Sequence, residues 1–241
     1  MPRLFLLWLC GLPGILALTW LWLPQVLAGQ PLPLPVPALL AISTLQSALL
    51  LAVLVALGSA CAARTGLGTP LLDAALAGQL RTAPWRRSVV AGKIGALLGA
   101  GILLAASELR PAALAALDGL PPLPLLARLL YGGVTEELLL RLGVMSLLLW
   151  LPWRLLQRGE GRPAAGAVAF AIVGSALLFA LAHLPVLASQ LPTLEADVVA
   201  WALTANTAFG LLAGWLFWRH GLEAAVIAHA GAHLLAWLAG A

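Results

Sequence analysis

Tyr131-Gly132-Gly133-Val134-Thr135-Glu136-Glu137-Leu138-Leu139-Leu140-Arg141-Leu142-Gly143-Val144-Met145 is followed by Ser146 and an apolar run from Leu147 to Trp150. The stretch reads as a membrane-spanning helix, yet it holds two acids and an arginine within six residues. A charged side chain near the bilayer centre costs about 2.5–3.5 kcal/mol on insertion scales, so such residues face a protein interior or a watery cavity. Three of the four histidines, His183, His229 and His233, also lie in apolar segments. Buried acid and buried imidazole in lipid are the signal on which the functional reading rests.

Outward from this stretch, the rest of the chain is equally apolar. Its 241 residues are 62% hydrophobic and 9% charged, with a mean hydropathy of +1.02. Soluble domains carry about 25% charged residues, so the composition specifies an integral membrane protein. Long apolar runs without alternation exclude a β-barrel and leave an all-α, polytopic transmembrane helix bundle. Cys10 and Cys61, both in apolar runs, form neither a disulfide framework nor a metal motif and read as small packing residues. Net charge is +4, but twelve arginines and one lysine fall mostly in loops, and no nucleic-acid motif accompanies them.

A crossing needs about 20 mostly apolar residues. Seven spans are expected: 4–23, 38–63, 88–106, 125–157, 163–187, 198–218 and 222–238. The first competes with a cleaved signal peptide, since Val26-Leu27-Ala28 offers cleavage chemistry. Its apolar run exceeds the about 7–15 residues of a signal core, which favours a retained helix. Pro31 to Pro37 reads as an extended connection. Pro70 to Leu80 reads either as an interfacial amphipathic helix or as an ordinary basic loop. Ser107 to Pro124 reads as a loop with one short helix. The fourth span exceeds one crossing, and Gly132-Gly133 marks a bend or its true start. Pro185 ends or kinks the fifth, and His220 reads as an exposed loop residue.

If every span crosses, Arg3, the 64–87 loop, Arg154, Arg158, Arg162 and Arg219 share one side. Arg110 and Arg128 are the exceptions. The positive-inside rule then gives an inside amino terminus and an outside carboxyl terminus. The expected location is a bacterial inner membrane, with residues 1–241 forming a single membrane domain.

Glu137 and Arg141 are four apart, with the acid on the amino-terminal side, which favours a helical ion pair. Glu136 is rotated about 100° away on a 3.6-residue helix. It is therefore the carboxylate free to act as a general base. Phe179 and His183 share a helix face, as do His229 and His233. At about 1.5 Å per residue, Glu136 lies about 27 Å from Arg154 and His183 about 30 Å from Pro163. His229 and His233 lie only about 12–18 Å from Gly221 by the same rise, so convergence of all four needs bends.

Glu136-Glu137-Leu138-Leu139-Leu140-Arg141 resembles the EExxxR motif of the CAAX-protease and bacteriocin-processing family of intramembrane endopeptidases. Phe179-Ala180-Leu181-Ala182-His183 resembles its FxxxH motif. Gly221 to His233 resembles its third, a histidine followed four residues later by Asn or a similar polar group. The motifs occur in the family's order on separate spans, and residues 125–238 form the family-like catalytic core. The resemblance implies hydrolysis of a peptide bond in a membrane-anchored or lipidated substrate. Glu136, helped by His183, would activate water, His229 and His233 would stabilise the oxyanion, and Glu137, Arg141 and Phe179 would support the site. His233 stands where Asn is commoner. Two histidines at i and i+4, with His183 and a glutamate, also keep a zinc site in play. A metal-free mechanism without cofactor is the expectation, because Glu136 can serve as base and no HEXXH pattern is present. A proton-coupled transporter and a non-catalytic, immunity-type scaffold are the competing readings. Inverted repeats are not visible for the first, and the intact acid and histidine set argues against the second.

Overall fold

Lipid offers no partner for backbone N–H and C=O groups, and a helix satisfies them locally. The computed structural model describes residues 2–29, 31–81, 85–119 and 121–240, without the side chain of residue 116, and every regular element in them is helical. Six helices are long and apolar enough to cross a bilayer: α1 (Pro2–Leu27), α2 (Val36–Thr65), α4 (Trp85–Glu108), α5 (Leu125–Leu155), α6 (Ala165–Gln190) and α7 (Ala196–His220). A short helix, α3 (Pro70–Leu76), lies between α2 and α4, and a seventh apolar helix, α8 (Leu222–Leu238), has 17 residues. A 3-10 turn at Ala112–Leu117 fills the loop after α4. The expected polytopic bundle is thus the fold, with α8 at the short limit for a crossing.

Contacts near the helix ends define the two ends of the bundle. At one, Arg3 pairs with Asp73 at 3.2 Å and bonds Thr69. The Leu72 amide donates to Glu223 at 3.0 Å, the Leu222 amide donates to the Gly68 carbonyl, and Ser88 donates to the His220 carbonyl. At the other end, Trp22 donates to the Pro121 carbonyl and Trp201 to the Ala106 carbonyl, while Leu114, Leu191 and Val198 close a small core. Arg3, the start of α4 and Arg219 therefore share one end, as the charge pattern required.

Small residues set the helix spacing, since lipid supplies no hydrophobic drive between helices. Gly92, Gly95 and Gly99 of α4 face α8, and a Cβ at these positions would lie 2.7 Å from Ile227, 2.8 Å from Ala228 and 2.8 Å from Ala232. Gly221, between α7 and α8, has φ +87° and ψ 171°, a region open essentially to glycine alone. That reversal returns α8 beside α7.

Three local expectations change. Of the two readings of Pro185, an end or a kink, the end is excluded, since the helix continues to Gln190. His220 is not an exposed loop residue but the half-buried end of α7, its ring edge-on to Trp215 at 5.5 Å. Gly132 and Gly133 do not start the fourth span, which begins at Leu125. They lie inside a π-type stretch from Arg128 to Met145. Hydroxyl bonds at a spacing of five, Thr135 to Leu130 and Ser146 to Arg141, follow the i→i+5 register of such a helix.

Candidate active site

The acid-bearing helix α5 is the most buried of the spans. It packs against α1, α2, α6 and α8. Its glycines permit that closeness: a Cβ at Gly133 would lie 2.6 Å from Ala230 of α8, and one at Gly143 would lie 2.9 Å from Leu54 of α2. Thr135 Oγ1 donates to the Gly11 carbonyl of α1 at 2.7 Å, fixing the turn that precedes the two acids.

Glu137 is fully buried and joins two cationic or donor groups at once. Arg141 Nε lies 3.3 Å from Oε2, as the i,i+4 spacing required. His229 Nδ1, from α8, donates to Oε1 at 2.8 Å. The second bond was not legible in the sequence, which gave Glu137 only Arg141 as a partner. It assigns the proton on His229 to Nδ1 in any neutral form and turns Nε2 the other way.

The Phe179 ring occupies the middle of the cluster. Arg141 Cζ stands 4.9 Å from its centroid, the His183 ring meets it edge-on at 4.8 Å, and the His229 ring does so at 6.0 Å. An enclosed guanidinium over an aromatic face gains about 2 kcal/mol when desolvated. The ring is the main support of Arg141 beyond Glu137, because Nη1 and Nη2 are buried with no hydrogen-bond partner among the described residues. The Phe179 carbonyl accepts from His183 Nδ1 at 2.8 Å. A carbonyl only accepts, so this bond places the His183 proton on Nδ1 and frees Nε2 for substrate or water.

His229 and His233 stack at 5.0 Å with an interplanar angle of 23°. Their Nε2 atoms flank one point on α5: a Cβ on Gly132 would lie 3.0 Å from His233 Nε2 and 3.7 Å from His229 Nε2. Glycine at position 132 thus keeps open the space that both rings face. Phe209 of α7 packs on His229 at 4.3 Å, a support that an apolar helix sequence does not advertise.

Glu136 is half-buried and makes no hydrogen bond or ion pair among the described residues. Its electrostatic neighbours are His229, His183, Glu137 and Arg141. The cluster therefore has a sealed layer of Glu137, Arg141, Phe179 and His229, and a partly exposed layer of Glu136, His183 and His233. All the residues singled out in the three motifs are in this neighbourhood.

The depth mismatch expected from the sequence resolves in two ways. Phe179, Phe209 and His229 each lie near the middle of their helices, so the helix ends used as rulers are not level. The π-type register of α5 also packs more residues into each turn, which shortens the rise per residue. The cluster lies near the middle of these helices.

Among the described residues, no three His, Cys, Asp or Glu side chains are arranged to hold a metal ion.

Residues 118–235 match the family model described as Type II CAAX prenyl endopeptidase Rce1-like. The match spans all three motifs. No curated protein and no solved structure matches the chain.

Proposed function

Through residues 118–235 the chain belongs to the Rce1-like family of type II CAAX prenyl endopeptidases, and from that premise we propose that it hydrolyses a peptide bond within the membrane by a glutamate-activated water. The observation that carries this reading is the bond between Glu137 and His229, which locks motif residues of two distant segments into one cluster at 2.8 Å. Glu136, with no competing partner, takes a proton from water held against His183 Nε2. The hydroxide adds to the scissile carbonyl carbon. The resulting oxyanion lies over Gly132, where His229 and His233 donate through Nε2. For His229 this is the imidazolium form, with one proton for Glu137 and one for the oxyanion. The tetrahedral species then collapses, the C–N bond breaks, and the proton held by Glu136 passes to the leaving amine.

The substrate class that fits is a membrane-anchored or lipidated peptide, since the cluster lies near the middle of helices apolar enough to cross a bilayer. No nucleic acid enters the scheme. The residues accomplish every step without a metal ion, so the zinc alternative becomes an arm of the test. A library of membrane peptides is offered to purified wild type and to Glu136→Gln, each with and without a chelator. Wild type cleaves, Glu136→Gln is slower by about 10²–10⁴-fold, and the chelator changes neither rate. Equal cleavage by both proteins sinks the proposal, while loss of wild-type activity with chelator, restored by zinc, sinks its metal-free form.

A further inference from the structure

A second feature lies away from the catalytic cluster and shares no residue with it. An apolar groove of about 470 Å³ runs between α4 and α7. Val90, Ile94 and Leu98 form one wall at a spacing of four, and Leu212, Trp215 and Leu216 form the other. Val90, Ile94 and Leu98 are each more than half exposed, so the groove opens sideways to lipid. From Arg86 to Leu98 the α4 wall rises about 18 Å, slightly more than one leaflet of the roughly 30 Å hydrocarbon core.

The groove ends on charge. Arg86, Arg87 and His220 form its mouth. There it meets a polar cup of about 370 Å³ that shares Arg87 and His220 and adds Thr69, Ser88 and Arg219. The single acid in the cup is Asp73, which already pairs with Arg3. The arginines thus face the cup without an uncommitted carboxylate among its lining residues. The junction is built from both walls. Ser88 donates to the His220 carbonyl, the His220 ring packs edge-on against Trp215, and Arg219 stacks over Trp218 at 5.1 Å.

An apolar channel one leaflet deep, continuous with a cationic polar cup, is complementary to an anionic amphiphile. We propose that this face binds one anionic phospholipid of the arginine-rich leaflet, its acyl chain along Val90, Ile94 and Leu98 and its phosphate at Arg87. Juxtamembrane arginines attract anionic lipid. Here two adjacent ones stand over a slot for the chain, which an ordinary lipid-facing surface lacks. The site is independent of the hydrolase reading.

Trp215 lines the groove and reports occupancy. The full chain is placed in nanodiscs containing a brominated-chain phosphatidylglycerol or a phosphatidylcholine with the same chains. The Trp215 share of fluorescence quenching is the difference between wild type and Trp215→Phe. Each arginine near an anionic headgroup is worth roughly a fivefold preference. Half-quenching of Trp215 is therefore expected at a phosphatidylglycerol fraction at least about fivefold below that for phosphatidylcholine. The preference disappears in Arg86→Gln/Arg87→Gln, whose thermal unfolding in phosphatidylcholine is expected to match wild type. Equal quenching by both lipids, or an undiminished preference in the double variant, overturns the proposal. Relief of the quenching by a prenylated peptide also overturns it, since the groove then belongs to substrate.

Discussion

Glu137 holds His229 and Arg141 at once, whereas Glu136, one position earlier, holds neither among the described residues. Adjacent identical residues therefore have separable consequences. Removing one partner of a buried ion pair leaves the other charge uncompensated and costs about 3–5 kcal/mol. Glu137→Ala and Arg141→Ala are each expected to destabilise the protein by that amount, measured by thermal or denaturant unfolding in detergent. Their combination should cost clearly less than the two added together, because the orphaned charge is then gone. Glu136→Gln should lie within about 0.5 kcal/mol of wild type in the same assay while losing activity. An additive double variant, or a Glu136→Gln protein as unstable as Glu137→Ala, contradicts this division. At this scale the motif residues were legible because ionisable groups in an apolar run stand out against lipid. Phe209 and Thr135 were not. An aromatic or a hydroxyl residue in an apolar helix carries no mark of what it will touch, and Glu137's second partner lies 92 positions away.

Helices supply the precision that the residues need. Gly132 and Gly133 do not start their helix, and they permit close contact with α8. The apolar run itself was legible, and the spans fall within a few residues of their expected limits. The π-type register was not, because an i→i+5 ladder has no residue signature and depends on neighbours on several sides. Its consequence is testable at Gly133, where an added Cβ would press on Ala230, one residue from His229. Overpacking of this kind costs about 1–3 kcal/mol. A displacement of about 1 Å at the reacting groups is worth roughly 10²-fold in rate. Gly133→Ala is therefore expected to lose activity out of proportion to its stability, and Gly101→Ala on the open face of α4, where a Cβ meets nothing, should lose neither. Equal behaviour of the two variants would argue that the closeness of α5 and α8 is incidental.

Across the whole molecule, two ends are distinguished by charge and by the contacts that hold them. The arginine-rich end is tied together by Arg3 with Asp73 and by Leu72 with Glu223, and the other end by Trp22 and Trp201 on opposing carbonyls. Grouping of the basic loops was legible from the sequence, since positive charge is held on one side of a membrane by the energetics of insertion. The direction of the bundle in its membrane is a proposal from the same rule: the arginine-rich end lies inside. Glu160 and Leu109 are exposed on loops at opposite ends. In a Cys10→Ser/Cys61→Ala background, Leu109→Cys should react with an impermeant maleimide on intact cells. Glu160→Cys should react only after permeabilisation, and the reverse pattern overturns the orientation. Either result fixes which leaflet faces Arg86 and Arg87. It does not move the acid and histidine cluster, which lies near the middle of α6, α7 and α8; under the proposed hydrolysis, water and peptide enter through the partly exposed layer of Glu136, His183 and His233.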